Sequence, residues 1–252
     1  MWSSGPLVSL LATVVGIASA VPALSRRLGP AQTAHLVPFS GGLLVGIATF
    51  GVLPELTQLH GLVGSLDLLA AGFVLLWLVS RYVYPVCPSC SHTHQHELCE
   101  TTLHGFALPM TVAASLHAFL DGLGIVAAYE ERAQGLGTAL LVAVMLHKVP
   151  EGVALGVMLR AALRSRLGAL ALCAVAEGAT FLGAALYLAV GPRLGSGWPG
   201  YALALAGGSF LYLGFHAAHG DWKRRGAPAL WLAAAGAGGA AALQQGLHRL
   251  VR

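Results

Sequence analysis

Two short stretches of the sequence repeat the same chemical pattern. His117-Ala-Phe-Leu-Asp121-Gly122 and His147-Lys-Val-Pro-Glu151-Gly152 are both H-x-x-x-[DE]-G. Residues four apart share one helix face, so each stretch, if helical, presents an imidazole and a carboxylate stacked one turn apart. Two such faces turned toward each other offer two ring nitrogens and carboxylate oxygens around a single point. That donor set suits a divalent transition metal, zinc foremost. Packing glue between helices would need polar residues there too, but not a repeated His-to-carboxylate spacing.

The elements that carry these residues are apolar along their whole length. The 252-residue chain is 56% hydrophobic and 10% charged, and its mean hydropathy is +0.74. Such a composition cannot clothe a soluble domain in polar surface, so the expected solvent is the lipid bilayer. Eight apolar runs are predicted to span it, at about Leu7–Leu24, His35–Leu56, Leu62–Tyr84, Phe106–Tyr129, Leu136–Leu159, Leu167–Val190, Tyr201–His219 and Ala229–Leu247. Each approaches the ~20 residues that cross a hydrocarbon core as a helix, and none shows the alternation of a barrel strand. The first run lacks the basic flank of a secretory signal and is read as a retained helix. The expected fold is therefore an all-α integral membrane protein, with residues 1–252 as one transmembrane domain.

The net charge of +4 does not point to nucleic acid, because the basic residues are scattered in short groups rather than gathered on one face. Arg26, Arg27, Arg81, Arg160, Arg164, Arg166, Lys223, Arg224 and Arg225 fall at alternate connections. The positive-inside rule makes those connections cytoplasmic and leaves both termini outside, in a multi-pass protein expected in the plasma membrane.

The longest of the cytoplasmic connections, 85–105, holds Cys87, Cys90, His92, His94, His96, Cys99 and His104. Reduced thiols and imidazoles at this density could take up metal, although no complete finger spacing is present and a solvated polar loop is the plainer alternative. Cys173, alone in the sixth run, reads as a small packing residue.

His117, Asp121, His147 and Glu151 lie midway along their runs, where ionisable groups are costly unless paired or functional. Pro150 frees a carbonyl one turn earlier, and Gly122 and Gly152 permit close helix approach. Lys148 has two readings: an ammonium that offsets the negative charge of the site, or a side chain that merely snorkels or pairs with Glu177 as structural glue. Glu55 and His60 are placed on the outer approach, and His216 and His219 on the cytoplasmic one, with an interior hydrogen bond as the ordinary role of such histidines.

These residues resemble the ZIP metal transporters, whose fourth and fifth membrane helices carry H-N-x-x-[DE]-G and [HQ]-[ED]-x-P-[HE]-[EG] patterns. Gly41-Gly42-Leu43-Leu44 with Leu53-Pro54-Glu55 is similar to the family's second helix, Thr180-Phe-Leu-Gly183-Ala184 to its sixth, and Gly207-Gly208-Ser209-Phe210-Leu211-Tyr212 to its seventh. The resemblance implies eight helices, with inverted three-helix repeats around the central fourth and fifth. It also implies a transported metal ion at His117, Asp121, His147 and Glu151, no organic cofactor, and a possible homodimer.

The fifth helix is an H-K-x-P variant. Many members build a second, bridged metal position from the residue after each histidine, but here those residues are Ala118 and Lys148, so a single transport site is expected. Thr180 stands where some members have a further carboxylate, and Glu177 lies one turn earlier as a potential substitute. The rival readings are an intramembrane metalloenzyme, which finds no H-E-x-x-H element or serine nucleophile motif in the chain, and a metal-responsive receptor without transport.

Overall fold

A computed structural model describes residues 5–24, 35–82, 103–130, 135–163, 165–195 and 197–250. The elements, in chain order, are α1 (Gly5–Leu24), α2 (Leu36–Ile47), a π-helical turn (Ala48–Val52), α3 (Leu53–Tyr82), α4 (Leu103–Glu130), α5 (Leu136–Ala162), α6 (Arg166–Val190), a short 3-10 turn (Gly191–Arg193), α7 (Trp198–Arg225) and α8 (Ala227–Leu250). No strand occurs among the described residues, as a chain in lipid requires when its backbone polar groups must be satisfied within each segment.

Among the described residues, six helices are long and apolar enough to cross a membrane. One of them runs over Val37–Tyr82, 46 residues. A straight helix of that length would reach about 69 Å, more than twice a hydrocarbon core of about 30 Å. The chain resolves this at Gly61, whose φ of 70° and ψ of 168° break the helix into two limbs. The break falls between the two runs expected from the sequence there, at a left-handed position that glycine adopts without steric cost. Gly226, φ 69°, makes the corresponding turn between α7 and α8. α8 is 24 residues long but is not among the six, because alanine and glycine, its main constituents, are only weakly apolar.

The π turn has a local cause. Pro54 has no N–H to offer the carbonyl four residues back, and its ring crowds that carbonyl, so the preceding turn widens. The Leu53 N–H accordingly bonds to the Ala48 carbonyl, five residues back. Glu55 follows directly and is buried.

The helices pack in two groups. α1, α4, α5 and α6 lie against one another, with the closest association between α4 and α6, while α2, α3, α7 and α8 form the other set. α4 touches α7, and α5 touches α2, where the groups meet. Small residues govern these approaches. Added Cβ atoms on Gly122 and Gly183 would run into the carbonyl oxygens of Thr180 and Phe119, so α4 and α6 are joined by a reciprocal backbone contact. A Cβ on Gly152 of α5 would likewise meet the Gly16 carbonyl of α1. In lipid, where apolar side chains gain little by leaving one solvent for another, such close contact supplies much of the association energy.

The packing predicts a contrast between two glycines of α6. Gly183→Val should lower the thermal stability of the detergent-solubilised protein sharply, by at least the ~1–3 kcal/mol typical of overpacking. Gly178→Ala, where an added Cβ meets nothing within 4 Å, should leave it unchanged or slightly raised. Equal melting temperatures for the two variants would contradict the α4–α6 contact.

Candidate metal site

The two repeated stretches meet where α4 and α5 cross. His117 and His147 face each other edge to face, with ring centroids 5.5 Å apart. Glu151 lies between them: its Oε2 is 3.7 Å from His117 Nε2 and 3.8 Å from His147 Nε2. Ligand atoms from His117, His147 and Glu151 all lie within 4.8 Å of one another, and all three residues are buried. Both ring nitrogens of His117, Nδ1 of His147 and Oε1 of Glu151 have no hydrogen-bond partner. Buried polar groups are normally satisfied, so this concentration of unsatisfied donors and acceptors marks a place suited to a cation.

Asp121 stands at the edge of this trio. Its Oδ1 is 3.5 Å from His117 Nδ1, on the side of the ring away from Glu151, and its Oδ2 is 3.0 Å from Lys148 Nζ. The four residues of the repeated pattern are thus brought together, three around one point and the fourth beside them.

Lys148 does not snorkel out of the membrane. It is fully buried, with Nζ 2.9 Å from Glu177 Oε2, 3.0 Å from Asp121 Oδ2 and 3.4 Å from Glu151 Oε2. The two sequence readings of this lysine merge: it pairs with Glu177, and by the same ammonium it touches two carboxylates of the repeated pattern. With those three carboxylates ionised and the imidazoles neutral, the formal charge of the group is two negative.

The surrounding backbone holds this arrangement in place. Glu177 projects from α6 one turn before Thr180, whose carbonyl receives Gly122 of α4 and whose buried hydroxyl has no hydrogen-bond partner. On the other side α1 forms a wall: a Cβ on Gly16 would strike the Glu177 carboxyl group. Sequence reading missed that role of α1. Its signal is a glycine in an otherwise β-branched and alanine-rich stretch, Val14-Val15-Gly16-Ile17, which identifies a close approach but not its target.

The remaining sequence candidates lie elsewhere. Glu55 is buried in the first turn of α3, and His60 packs on Tyr201 with ring centroids 5.4 Å apart. His216 stacks on Tyr212 at 5.7 Å, and His219 on Phe215 at 5.9 Å and Trp222 at 5.7 Å, so both histidines are set among aromatic rings on α7. Cys173 is buried in a hydrophobic cluster. Cys87, Cys90, His92, His94, His96 and Cys99 fall outside the described residues.

A bundle of membrane-crossing helices with a buried group of two imidazoles and a carboxylate at its centre defines the class: an integral membrane protein built to accommodate a divalent metal ion. Residues 86–217, just over half of the chain, match the sequence model of the family described as ZIP Zinc transporter, and the chain belongs to that family. Its members are transporters of divalent metal ions rather than enzymes, and zinc fits the ligands found here. No curated protein matches the chain by sequence.

The charge arrangement predicts how Lys148 contributes to stability. Lys148→Met removes one partner from a buried ion group and should destabilise the solubilised protein by about 3–5 kcal/mol. Adding Glu177→Gln should restore part of that loss, because it removes a charge left without its partner. Simple additivity of the two substitutions in thermal melts would show that Lys148 and Glu177 are not coupled.

Proposed function

We propose that the protein carries zinc from the outside toward the cytoplasm, one ion at a time, through His117, His147 and Glu151 at the bilayer midplane. The observation that supports this most directly is the convergence of three buried ligand side chains on one point, beside a group that, with its carboxylates ionised, carries two formal negative charges that a divalent cation brings to zero. In this reading the Nε2 atoms of both histidines and the Glu151 carboxylate bind the ion. Asp121 completes the site from beside it: its Oδ1 lies 3.5 Å from His117 Nδ1, and a small approach would let it accept that ring's N–H, as carboxylates commonly do for metal-bound imidazoles.

The ammonium of Lys148 occupies the position of a second cation. It already satisfies oxygens of Asp121, Glu151 and Glu177, so another divalent ion beside it would meet a repelling charge and few free ligands. This is the consequence of the H-K-x-P variant on the fifth span. Eight spans, counting the two limbs either side of Gly61 and α8, with inverted repeats flanking α4 and α5, place both termini outside a plasma-membrane protein. Iron, manganese and cadmium are further cargoes that such a ligand set tolerates, and a homodimer is a compatible assembly.

The test is uptake of zinc into vesicles containing the purified protein. Unmodified protein should load the lumen, and His147→Ala or Glu151→Ala should reduce the initial rate by more than about tenfold while inserting and melting normally, since each removes a ligand from a set of few. Normal uptake by either folded variant would refute the site. Absence of uptake by the unmodified protein would favour a receptor or an intramembrane enzyme instead.

A further inference from the structure

Lys148 holds its carboxylate contacts unequally. Its ammonium has N–H donors enough for three partners, and three carboxylate oxygens from three helices surround it. Glu177 Oε2 is at 2.9 Å, Asp121 Oδ2 at 3.0 Å and Glu151 Oε2, the most distant, at 3.4 Å. That last oxygen is also the one 3.7 Å and 3.8 Å from Nε2 of His117 and His147. A cation held by the two imidazoles and Glu151 therefore competes with Lys148 for a single oxygen. Asp121 escapes the competition by dividing its oxygens, Oδ1 toward His117 and Oδ2 toward Lys148.

Glu177 is equipped to receive what Glu151 gives up. It is buried, it stands outside the trio of converging ligands, and its Oε1 has no hydrogen-bond partner among the described residues. The Thr180 hydroxyl, one turn along the same helix, is buried and unpartnered as well. Spare acceptors thus lie on the helix that makes the shortest ammonium contact. α1 closes this side. The three atoms nearest to a Cβ built on Gly16 all belong to the Glu177 side chain, and the nearest is Oε2, the oxygen that faces Lys148. Glycine at position 16 leaves the space that this oxygen fills. An ion pair that served packing alone would need Lys148 and Glu177, but would not require the ammonium to rest on the ligand oxygen of Glu151 too.

We propose that Glu177 holds the Lys148 ammonium while a divalent cation occupies the His/Glu site, and that Gly16 is the residue that positions Glu177 for this. When the cation takes Glu151 Oε2, the N–H of Lys148 that loses its acceptor turns to Glu177 Oε1, with the Thr180 hydroxyl as a second acceptor. When the cation leaves, the ammonium returns to Glu151, so the emptied carboxylate is not left without a counter-charge in a medium where that is costly. No proton changes hands in this exchange. Affinity for the cargo is thereby set in part by a carboxylate that does not touch it. The proposal rests on the ligand set given above for transport.

The measurement is zinc affinity of the purified full-length chain, titrated against a chelating indicator, for the binding step that His147→Ala removes. Glu177→Gln, which keeps the size of the side chain, should raise the zinc concentration at half-saturation by about tenfold, the worth of one charged hydrogen bond. Gly16→Ala keeps every charge and should weaken binding in the same direction, yet add nothing on top of Glu177→Gln, because both disturb one contact. In a Lys148→Met background, where no ammonium needs holding, the effect of Glu177→Gln should shrink to less than about threefold. If Lys148→Met does not fold, the Gly16→Ala comparison carries the test. Unchanged affinity in folded Glu177→Gln overturns the proposal. So does a loss of equal size with and without Lys148, which would mean that Glu177 acts by its charge through space, and so do additive effects of Gly16→Ala and Glu177→Gln. Zinc binding that depends on His147 but not on Glu177 refutes the holding role alone, whereas zinc binding that His147→Ala leaves intact refutes the ligand set beneath it.

Discussion

Three buried carboxylates and one buried ammonium set the terms for everything around them. Lys148 lies within 3.4 Å of oxygens from Asp121, Glu151 and Glu177, contributed by three different helices. Removing charged groups from water costs several kcal/mol per ion even after relaxation, and near the middle of a membrane no solvent is at hand to recover it. The group is therefore tolerable only if the helices hold every oxygen close to the ammonium. With all three carboxylates ionised and the imidazoles neutral, it remains short of positive charge by two, which is the balance the proposed divalent cation would supply.

Such closeness is achieved by the backbone more than by the side chains. α4 and α6 meet through Gly122 and Gly183, and α1 reaches α5 and α6 through Gly16 and Gly152. Those glycines lie at the level of the ligands, so that the helices come nearest where the charges must be paired. The same contacts leave the ring nitrogens of His117 and the outer oxygen of Glu151 without partners of their own. The paired charges of the Lys148 group and the glycine packing thus adjoin a set of unpartnered ring nitrogens, on which the proposed metal site rests. The π turn before Glu55 and the break at Gly61 serve a more general need, fitting 46 residues of continuous apolar helix to a bilayer.

Much of this was legible in one dimension, since residues four apart on a helix are neighbours wherever the helix lies. The pairing of His117 with Asp121 and of His147 with Glu151 needed only that rule, and the apolar runs needed only length and composition. The convergence of Lys148 on Glu177 was visible as one alternative, because a buried ammonium must find a carboxylate, but the sequence does not encode which helices cross. That Lys148 also reaches Asp121 depends on how α4 and α5 cross, whereas its contact with Glu151, three residues along the same helix, follows the local helix rule. The contribution of Gly16 was illegible for the same reason. α8 shows the opposite difficulty: alanine and glycine pack well but carry so little hydropathy that its membrane character depends on its neighbours α2 and α7. The Cys/His segment of 85–105, conspicuous in sequence, lies for the most part outside the described residues.

The central claim is that imidazole and carboxylate groups in the middle of the bundle hold the transported ion. X-ray absorption at the zinc edge tests it most directly, using purified full-length protein with Cys87, Cys90 and Cys99 replaced by serine and loaded with a single equivalent of zinc. The account predicts a first shell of nitrogen and oxygen at about 2.0–2.2 Å, with the multiple-scattering signature of two imidazoles. A first shell without imidazole scattering, or one dominated by sulfur at about 2.3 Å, would contradict it.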